Sequence, residues 1–477
     1  MTDDARHLTA ISDLLGESGL LTEPSDTAPY AQDWRGLYHG HALAVARPAT
    51  AQELAALVRY CAEHGIAMVP QGGNTGMCGG ATPSASGHQL VISTSRMTKV
   101  RSIDRLDRTI TIEAGVPLKT AQDIARDAGC WLPLSISAEG TAQIGGVLST
   151  NAGGNNTVRF GNARDLVLGL EVVLADGKIW NGLRRLRKDN TGYCLRHLFI
   201  GAEGTLGIIT AAVLKLVPAP RQTEVALCAL PSVEAALTLF ERFQAEDSGS
   251  LVAFEYMSGA GMDLVLRFIP ATTLPLAERA AHYALVELST SRADGTLRTT
   301  LERVLEAALA DEIVLDAALA ESETQRLAIW KLREEHSEAQ KRAGANVKND
   351  VSVPVSSTPA FIAEAEAACT ALIPGIRVAP FGHLGDGNTH FNLIQPEDAD
   401  SAAFLARSHE MMDAVNQVVR KYDGSFSAEH GIGQLKSDML EDWRGGAELD
   451  LMQKIKHAID PACLMNPGKL LPARDQG

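Results

Sequence analysis

The chain has 477 residues, 45% hydrophobic and 21% charged, ordinary proportions for a folded protein with apolar material for more than one core. At about 100–200 residues per domain, that length implies two or three domains. The 43 Lys and Arg against 58 Asp and Glu leave a net charge of −15, which argues against nucleic acid or an anionic membrane surface as the main partner.

The first clear element begins at Thr50-Ala-Gln-Glu53, a capping box. Leu54, Leu57, Val58 and Cys61 follow at helical spacing, and Gly65 is a natural stop. A short strand over 66–69 then breaks at Pro70-Gln-Gly-Gly-Asn-Thr-Gly76, which puts three glycines on a loop after a strand. Pro117 to Gly129 reads as a helix. Val167 to Leu174 reads as a strand that turns at Asp176-Gly177 and returns from Ile179-Trp180. From about 220 to 345 the chain is rich in Ala, Leu and Glu and reads as helices with a few strands. Ser322-Glu-Thr-Gln325 opens a helix expected to run to about Arg342, with Gly344 after it, so Arg333 and Ser337 share a face. Residues 346–353 alternate as a strand, with Val347, Val351 and Val353 on one side and Lys348, Asp350 and Ser352 on the other.

Two further strings carry chemistry. His383-Leu-Gly-Asp-Gly-Asn-Thr-His390 sets a tight Asp-Gly turn between two imidazoles, and His390-Phe-Asn392 is expected to continue as a strand with His390 and Asn392 on one side. Ser427-Ala-Glu-His430-Gly-Ile-Gly433 puts a carboxylate and an imidazole on a glycine-flanked turn. Two imidazoles and a carboxylate are a known ligand set for a catalytic zinc with an open position, and Mn²⁺ or Co²⁺ suit the same donors. The other reading is hydrogen-bonded core or surface histidines, and for Arg333 it is a solvated helix face.

Glycine clusters let backbone N–H groups approach an anion. Three occur: Gln71–Gly76, Gly145-Gly146 with Asn151–Asn155, and Gly201–Gly207. Neither Gly-x-Gly-x-x-Gly nor Gly-x4-Gly-Lys-Ser/Thr is present, so any nucleotide is held by a different fold. The seven cysteines, at 61, 78, 130, 194, 228, 369 and 463, form no Cys-x-x-Cys. A disulfide framework is not suggested, and a reducing, cytoplasmic setting fits. The acidic start Met-Thr-Asp-Asp shows no signal peptide, and no run of about 18 apolar residues suggests a membrane span.

Pro70–Gly80, Gly145-Gly146, Asn151-Ala-Gly-Gly154, Arg159-Phe-Gly161, Arg164-Asp165, Phe199–Ile209 and Asn466-Pro-Gly-Lys469 together resemble the vanillyl-alcohol-oxidase-type FAD enzymes, in order along nearly the whole chain. Within that superfamily the chain looks most like the D-2-hydroxyacid dehydrogenase branch, which includes D-2-hydroxyglutarate dehydrogenase, D-lactate dehydrogenase and the glycolate oxidase flavin subunit. The resemblance implies an α+β architecture. An FAD-binding domain would span 1–217, a cap domain on an antiparallel sheet 218–422, and a helical C-terminal segment 423–477 would pack back on the flavin. It assigns FAD contact to Pro70, Gln71, Gly72, Gly73, Asn74, Thr75, Gly76, Gly79, Gly80, Ser137, Gly140, Thr141, Gly145, Gly146, Asn151, Gly153, Gly154, Arg159, Gly161, Glu203, Gly204, Gly207, Ile208, Ile209 and Asn466. Asn74 stands where some members carry a tethering histidine, so noncovalent FAD is expected.

The resemblance also implies that His383, His390 and Glu429 bind zinc and that His430 is the base, although the roles of Glu429 and His430 could be exchanged. Arg333, Ser337, Lys348 and Asn392 would hold the substrate's carboxylate oxygens, with Ser337 standing for the family's Ser/Thr. The implied reaction is dehydrogenation of a D-2-hydroxyacid: His430 takes the hydroxyl proton and the hydride passes to flavin N5. D-2-hydroxyglutarate, giving 2-oxoglutarate, is the lead substrate, with D-lactate, D-malate and glycolate as alternatives. An electron-transfer flavoprotein or quinone-linked carrier would accept the electrons, and a homodimer is open. Two rivals are a zinc-dependent hydrolase, which leaves the glycine clusters unexplained, and a non-catalytic flavin-binding subunit.

Overall fold

The computed structural model describes residues 3–472. The chain forms two compact units, one of Met1–Gly153, Asn162–Ala219 and Glu429–Gly477, the other of Gly154–Gly161 and Pro220–Ala428. The short stretch Gly154–Gly161 thus belongs with the second unit, although in sequence it sits among the glycine clusters of the first. Its Arg159 donates to the Ser289 carbonyl at 2.8 Å, and Val158 fills the space that a side chain at Gly385 would need.

In the first unit the helix Ala51–His64 begins at the Thr50 cap, but the return bond of the expected capping box goes one residue further back. The Thr50 hydroxyl accepts the Glu53 N–H, and the Glu53 carboxylate accepts the Ala49 N–H. Gly65 closes it in the left-handed region. Leu54, Leu57, Val58 and Cys61 are fully buried in the core that this helix shares with strands Ala42–Ala46, Met68–Gln71 and Gln89–Ser93. Each buried Leu or Val contributes about 1.5–3 kcal/mol. Those strands pair in parallel. A second sheet of this unit is antiparallel, in the order Val100–Asp104, Thr109–Glu113, Gly207–Lys215, Val167–Leu174, Ile179–Gly182.

The second unit is built on an antiparallel seven-stranded sheet. Its order is Asp316–Leu319, Gln222–Leu230, His282–Thr290, Leu251–Ser258, Phe381–His383, Asn388–His390, Asp350–Ser352. Helices Glu323–Glu334 and Gly259–Phe268 contribute Ile329, Trp330, Leu332, Met262 and Val265 to the core with Leu227, Met257 and Leu285.

Three expectations are corrected here. The helix from Ser322 does not run unbroken to Arg342. Glu335 takes ψ near 1°, so Glu323–Glu334 and His336–Ala343 are separate helices, with Arg333 and Ser337 on opposite sides of the break. Residues 346–353 are not one strand: Asn346–Val347 joins a small three-stranded sheet and Asp350–Ser352 the large one, with Lys348 and Asn349 between. The strand through His390 also ends there. The Asn392 N–H bonds to the His390 carbonyl at 3.1 Å, a tight turn that sends Leu393–Ile394 to the small sheet.

Among the described residues no helix is long and apolar enough to cross a membrane. The C-terminal helix Ala447–Ile459 is tied down by one buried pair. Lys456 Nζ reaches Asp460 and donates to the carbonyls of Thr205 and Met465, at 2.7 and 2.8 Å, while the Asp460 carboxylate accepts the N–H groups of Leu464 and Met465. Asp460→Ala strands a largely buried ammonium and two amides, so it should cost about 3–5 kcal/mol of stability in denaturant unfolding.

Candidate active site

The first-unit glycine loops converge. A Cβ on Gly73 would stand 2.0 Å from the Thr141 carbonyl oxygen, so only glycine lets loop 70–80 approach loop 138–146 this closely. Gly72 faces Gly146, Gly204 packs on the ring of Pro70, and Gly80 lies against Glu203. Gln71 and Asn74 spend their side-chain amides on backbone: Gln71 on the carbonyls of Tyr30 and Ala81, Asn74 on those of Pro29 and Gln32. These bonds shape the loop and leave its main chain to a ligand. Among the described residues, the N–H groups of Gly72, Gly73, Asn74, Thr75 and Gly76 donate to no protein acceptor. Consecutive unpaired N–H groups on a glycine loop suit a pyrophosphate. Asn151, in the left-handed region, accepts the Arg164 N–H at 2.9 Å.

The C-terminal segment reaches the same loops. Asn466 donates to the carbonyls of Gly80 and Glu203, at 2.9 and 2.7 Å, and its buried Oδ1 has no partner among the described residues. The Glu203 carboxylate accepts the Ile432 and Gly433 N–H groups at 2.7 and 2.8 Å, which fixes the turn that carries His430. Burial pushes this carboxyl above the usual range, while those two donors and Lys436 oppose the shift. The side chain of Glu203, an expected cofactor contact, thus clamps the C-terminal turn. Adjacent on that turn, Glu429 Oε1 lies 4.0 Å from His430 Nε2. Lys469 ends the Asn466-Pro-Gly-Lys469 string, and no contact was expected of it. It is 4% exposed, has no side-chain hydrogen bond or ion pair among the described residues, and burial pushes it down to about 8. A lysine so placed lacks an anion.

The second unit gathers the metal and anion candidates around one residue that the sequence reading missed. Glu255 lies 1% exposed in the strand Leu251–Ser258, whose eight residues are all buried. One oxygen bonds His383 Nδ1 at 2.8 Å, and the other accepts from Arg333 Nε and Nη2, each at 2.7 Å. Burial would raise the Glu255 carboxyl, but His383 and Arg333 hold it below its ordinary value. A lone carboxylate in an otherwise apolar strand was the available signal. The Arg333 guanidinium lies over the Phe381 ring at 4.9 Å. Phe381 also contacts His390 and His336, with ring centroids 4.9 Å apart in both cases. His336 is fully buried, and burial with nearby Arg333 pushes it down to about 3, so this imidazole is neutral.

His383 and His390 come from neighbouring strands, and their rings meet edge to face at 5.8 Å. The turn between them depends on Gly387, at φ +80°, where a Cβ would stand 2.1 Å from the Val353 carbonyl oxygen. His390 Nδ1 lies 3.7 Å from buried Asp350, which also accepts the Asn388 amide. The chain leaves this unit one residue before Glu429, and the last residue inside it, Ala428, donates its N–H to the Asp350 carbonyl. Asn392 is buried with its amide on Gln340, 2.8 Å away, Lys348 is half-buried and Ser337 is exposed.

Residues 42–182 match the FAD binding domain and residues 219–470 match the C-terminal domain of FAD linked oxidases. A D-2-hydroxyglutarate dehydrogenase of Xanthomonas citri pv. viticola is 38% identical over 456 residues, covering 96% of this chain and 95% of the relative. The mitochondrial D-2-hydroxyglutarate dehydrogenase of Bos taurus is also 38% identical, over 95% of this chain and 81% of its own. Among solved structures, p-cresol methylhydroxylase with substrate bound shares the fold with a TM-score of 0.76 at 16% identity, covering 99% of this chain and 98% of its own. Alkyldihydroxyacetonephosphate synthase shares it at 0.74 and 16% identity, over 97% and 84%. The chain belongs to the FAD linked oxidases, in the D-2-hydroxyacid dehydrogenase branch of the vanillyl-alcohol-oxidase-type flavoproteins, and is an FAD-dependent oxidoreductase of α+β fold.

Proposed function

We propose that the protein oxidises D-2-hydroxyglutarate to 2-oxoglutarate with noncovalent FAD and a divalent metal. The observation that carries the reading is the Arg333–Glu255–His383 network, which holds an anion-binding guanidinium and a metal-type imidazole on one buried carboxylate. Near-full-length similarity to D-2-hydroxyglutarate dehydrogenases supports the choice of acid.

The residues suit both groups. The unpaired N–H groups of 72–76 fit the FAD pyrophosphate, and Lys469 and the Asn466 Oδ1 are polar groups of this unit that await a partner. His383 commits Nδ1 to Glu255, so coordination falls to Nε2; with His390 and Glu429 the donor set suits zinc, or Mn²⁺ or Co²⁺. When bound, FAD supplies a hydride acceptor at N5 and the metal a Lewis acid for the substrate hydroxyl.

The chain's own residues do the rest. His430 removes the hydroxyl proton at a ring nitrogen. Arg333 engages a carboxylate through Nη1, which has no hydrogen bond among the described residues, and Ser337, Lys348 and Asn392 complete the anion's partners. Glu203 holds the turn that carries the base. An electron-transfer flavoprotein or a quinone-linked carrier then reoxidises the enzyme. The proposed cytoplasmic setting rests on the scattered spacing of the seven cysteines.

Anaerobic titration with a panel of D- and L-2-hydroxyacids tests the reading. The yellow protein should bleach with D-2-hydroxyglutarate, chelation should abolish this, and zinc should restore it; bleaching only by D-lactate or glycolate would replace the substrate. His430→Asn should slow flavin reduction by about 10²–10⁴-fold in stopped flow with FAD content unchanged. Lys469 gives a pH test. In the free protein it loses its proton above about 8, whereas an anionic ligand favours the charged form. FAD affinity should therefore be greatest below about 8 and weaken by up to about tenfold per pH unit above it, and Lys469→Met should bind weakly and flatten that profile.

A further inference from the structure

We propose that Glu255 is a positioning residue that sets the proposed metal ligand His383 and the proposed substrate anchor Arg333 together, so that metal binding and acid binding are prepared by one carboxylate. The inference rests on the reading of those two residues given above.

Its two oxygens are divided between the partners. Oε1 meets His383 Nδ1 at 2.8 Å, and Oε2 meets Arg333 Nε and Nη2 at 2.7 Å. Each bond uses the side of the partner that function does not need. On the imidazole it selects the tautomer that presents the Nε2 lone pair and makes that nitrogen more basic. On the guanidinium it occupies one edge, while stacking on Phe381 at 4.9 Å fixes the plane, so the Nη1 side is aimed before any acid arrives. The three residues come from separate elements: strand Leu251–Ser258, strand Phe381–His383 and helix Glu323–Glu334. Glu255 pairs directly with His383 in register, which brings the carboxylate beside the imidazole.

Stability alone does not account for the arrangement. Buried ionic networks are frequently matched or bettered by apolar residues of the same volume. The rest of this strand, Leu-Val-Ala-Phe before Glu255 and Tyr-Met-Ser after it, is buried without a second carboxylate.

The test compares Glu255→Gln with His383→Ala in the FAD-loaded protein, reading zinc affinity by chelator competition, FAD content, thermal midpoint, and KM and kcat for D-2-hydroxyglutarate. Glu255→Gln should lose about 10–100-fold in zinc affinity and raise KM by at least a similar factor, with FAD content unchanged. If His383→Ala loses zinc while a folded Glu255→Gln keeps wild-type zinc affinity and KM, this inference is overturned and the metal reading stands. If His383→Ala keeps wild-type zinc affinity, the metal reading falls and takes this inference with it. Should Glu255→Gln fail to accumulate, Glu255→Asp decides. It keeps the charge but is one methylene too short to span both partners, so it must show the same paired loss; wild-type values for both would overturn the proposal.

Discussion

Taking a carboxylate out of water costs several kcal/mol unless cations and donors surround it, and the second unit is organised around meeting that cost at Glu255. The strand that carries it is buried along its length, so water cannot satisfy it. Arg333 from a helix and His383 from the next strand do so instead. Phe381 then works on both sides of the arrangement, as a platform for the guanidinium and a neighbour to the second histidine, His390. The positions of the His383 imidazole and the Arg333 guanidinium thus follow from one electrostatic constraint and the sheet register.

The first unit presents the complementary situation. Its glycine loops carry backbone donors without acceptors, and its C-terminal segment brings in a buried lysine without an anion. Buried groups of this kind are costly unless a partner satisfies them. Gln71 and Asn74 spend their amides on main-chain carbonyls inside this unit, which shapes the loop. The C-terminal turn is held by Glu203 and Asn466, so loop and tail are ordered by the same contacts.

What was legible from sequence followed from local rules. The helix 51–64 with its cap and stop, the hairpin after Val167 and the tight turn before His390 depend on neighbours within a few residues, and they appear as read. The glycine clusters marked loops that pack closely together, because only glycine permits the approach of backbone to backbone that occurs at Gly73. Two of the three corrected expectations share a cause: periodicity gives the direction of a side chain but not where an element must bend to serve two sheets, as 346–353 and the chain from His390 to Ile394 both do.

The sequence by itself determined the residue types of the candidate site and the family, since those rest on short strings whose chemistry is local. Only the tertiary structure decided which charges meet. Glu255 lies 78 residues from Arg333 and 128 from His383. A partnership across that distance is set by sheet pairing and burial, neither of which leaves a periodic trace in the chain, and it becomes visible only when the strands are side by side and water is gone.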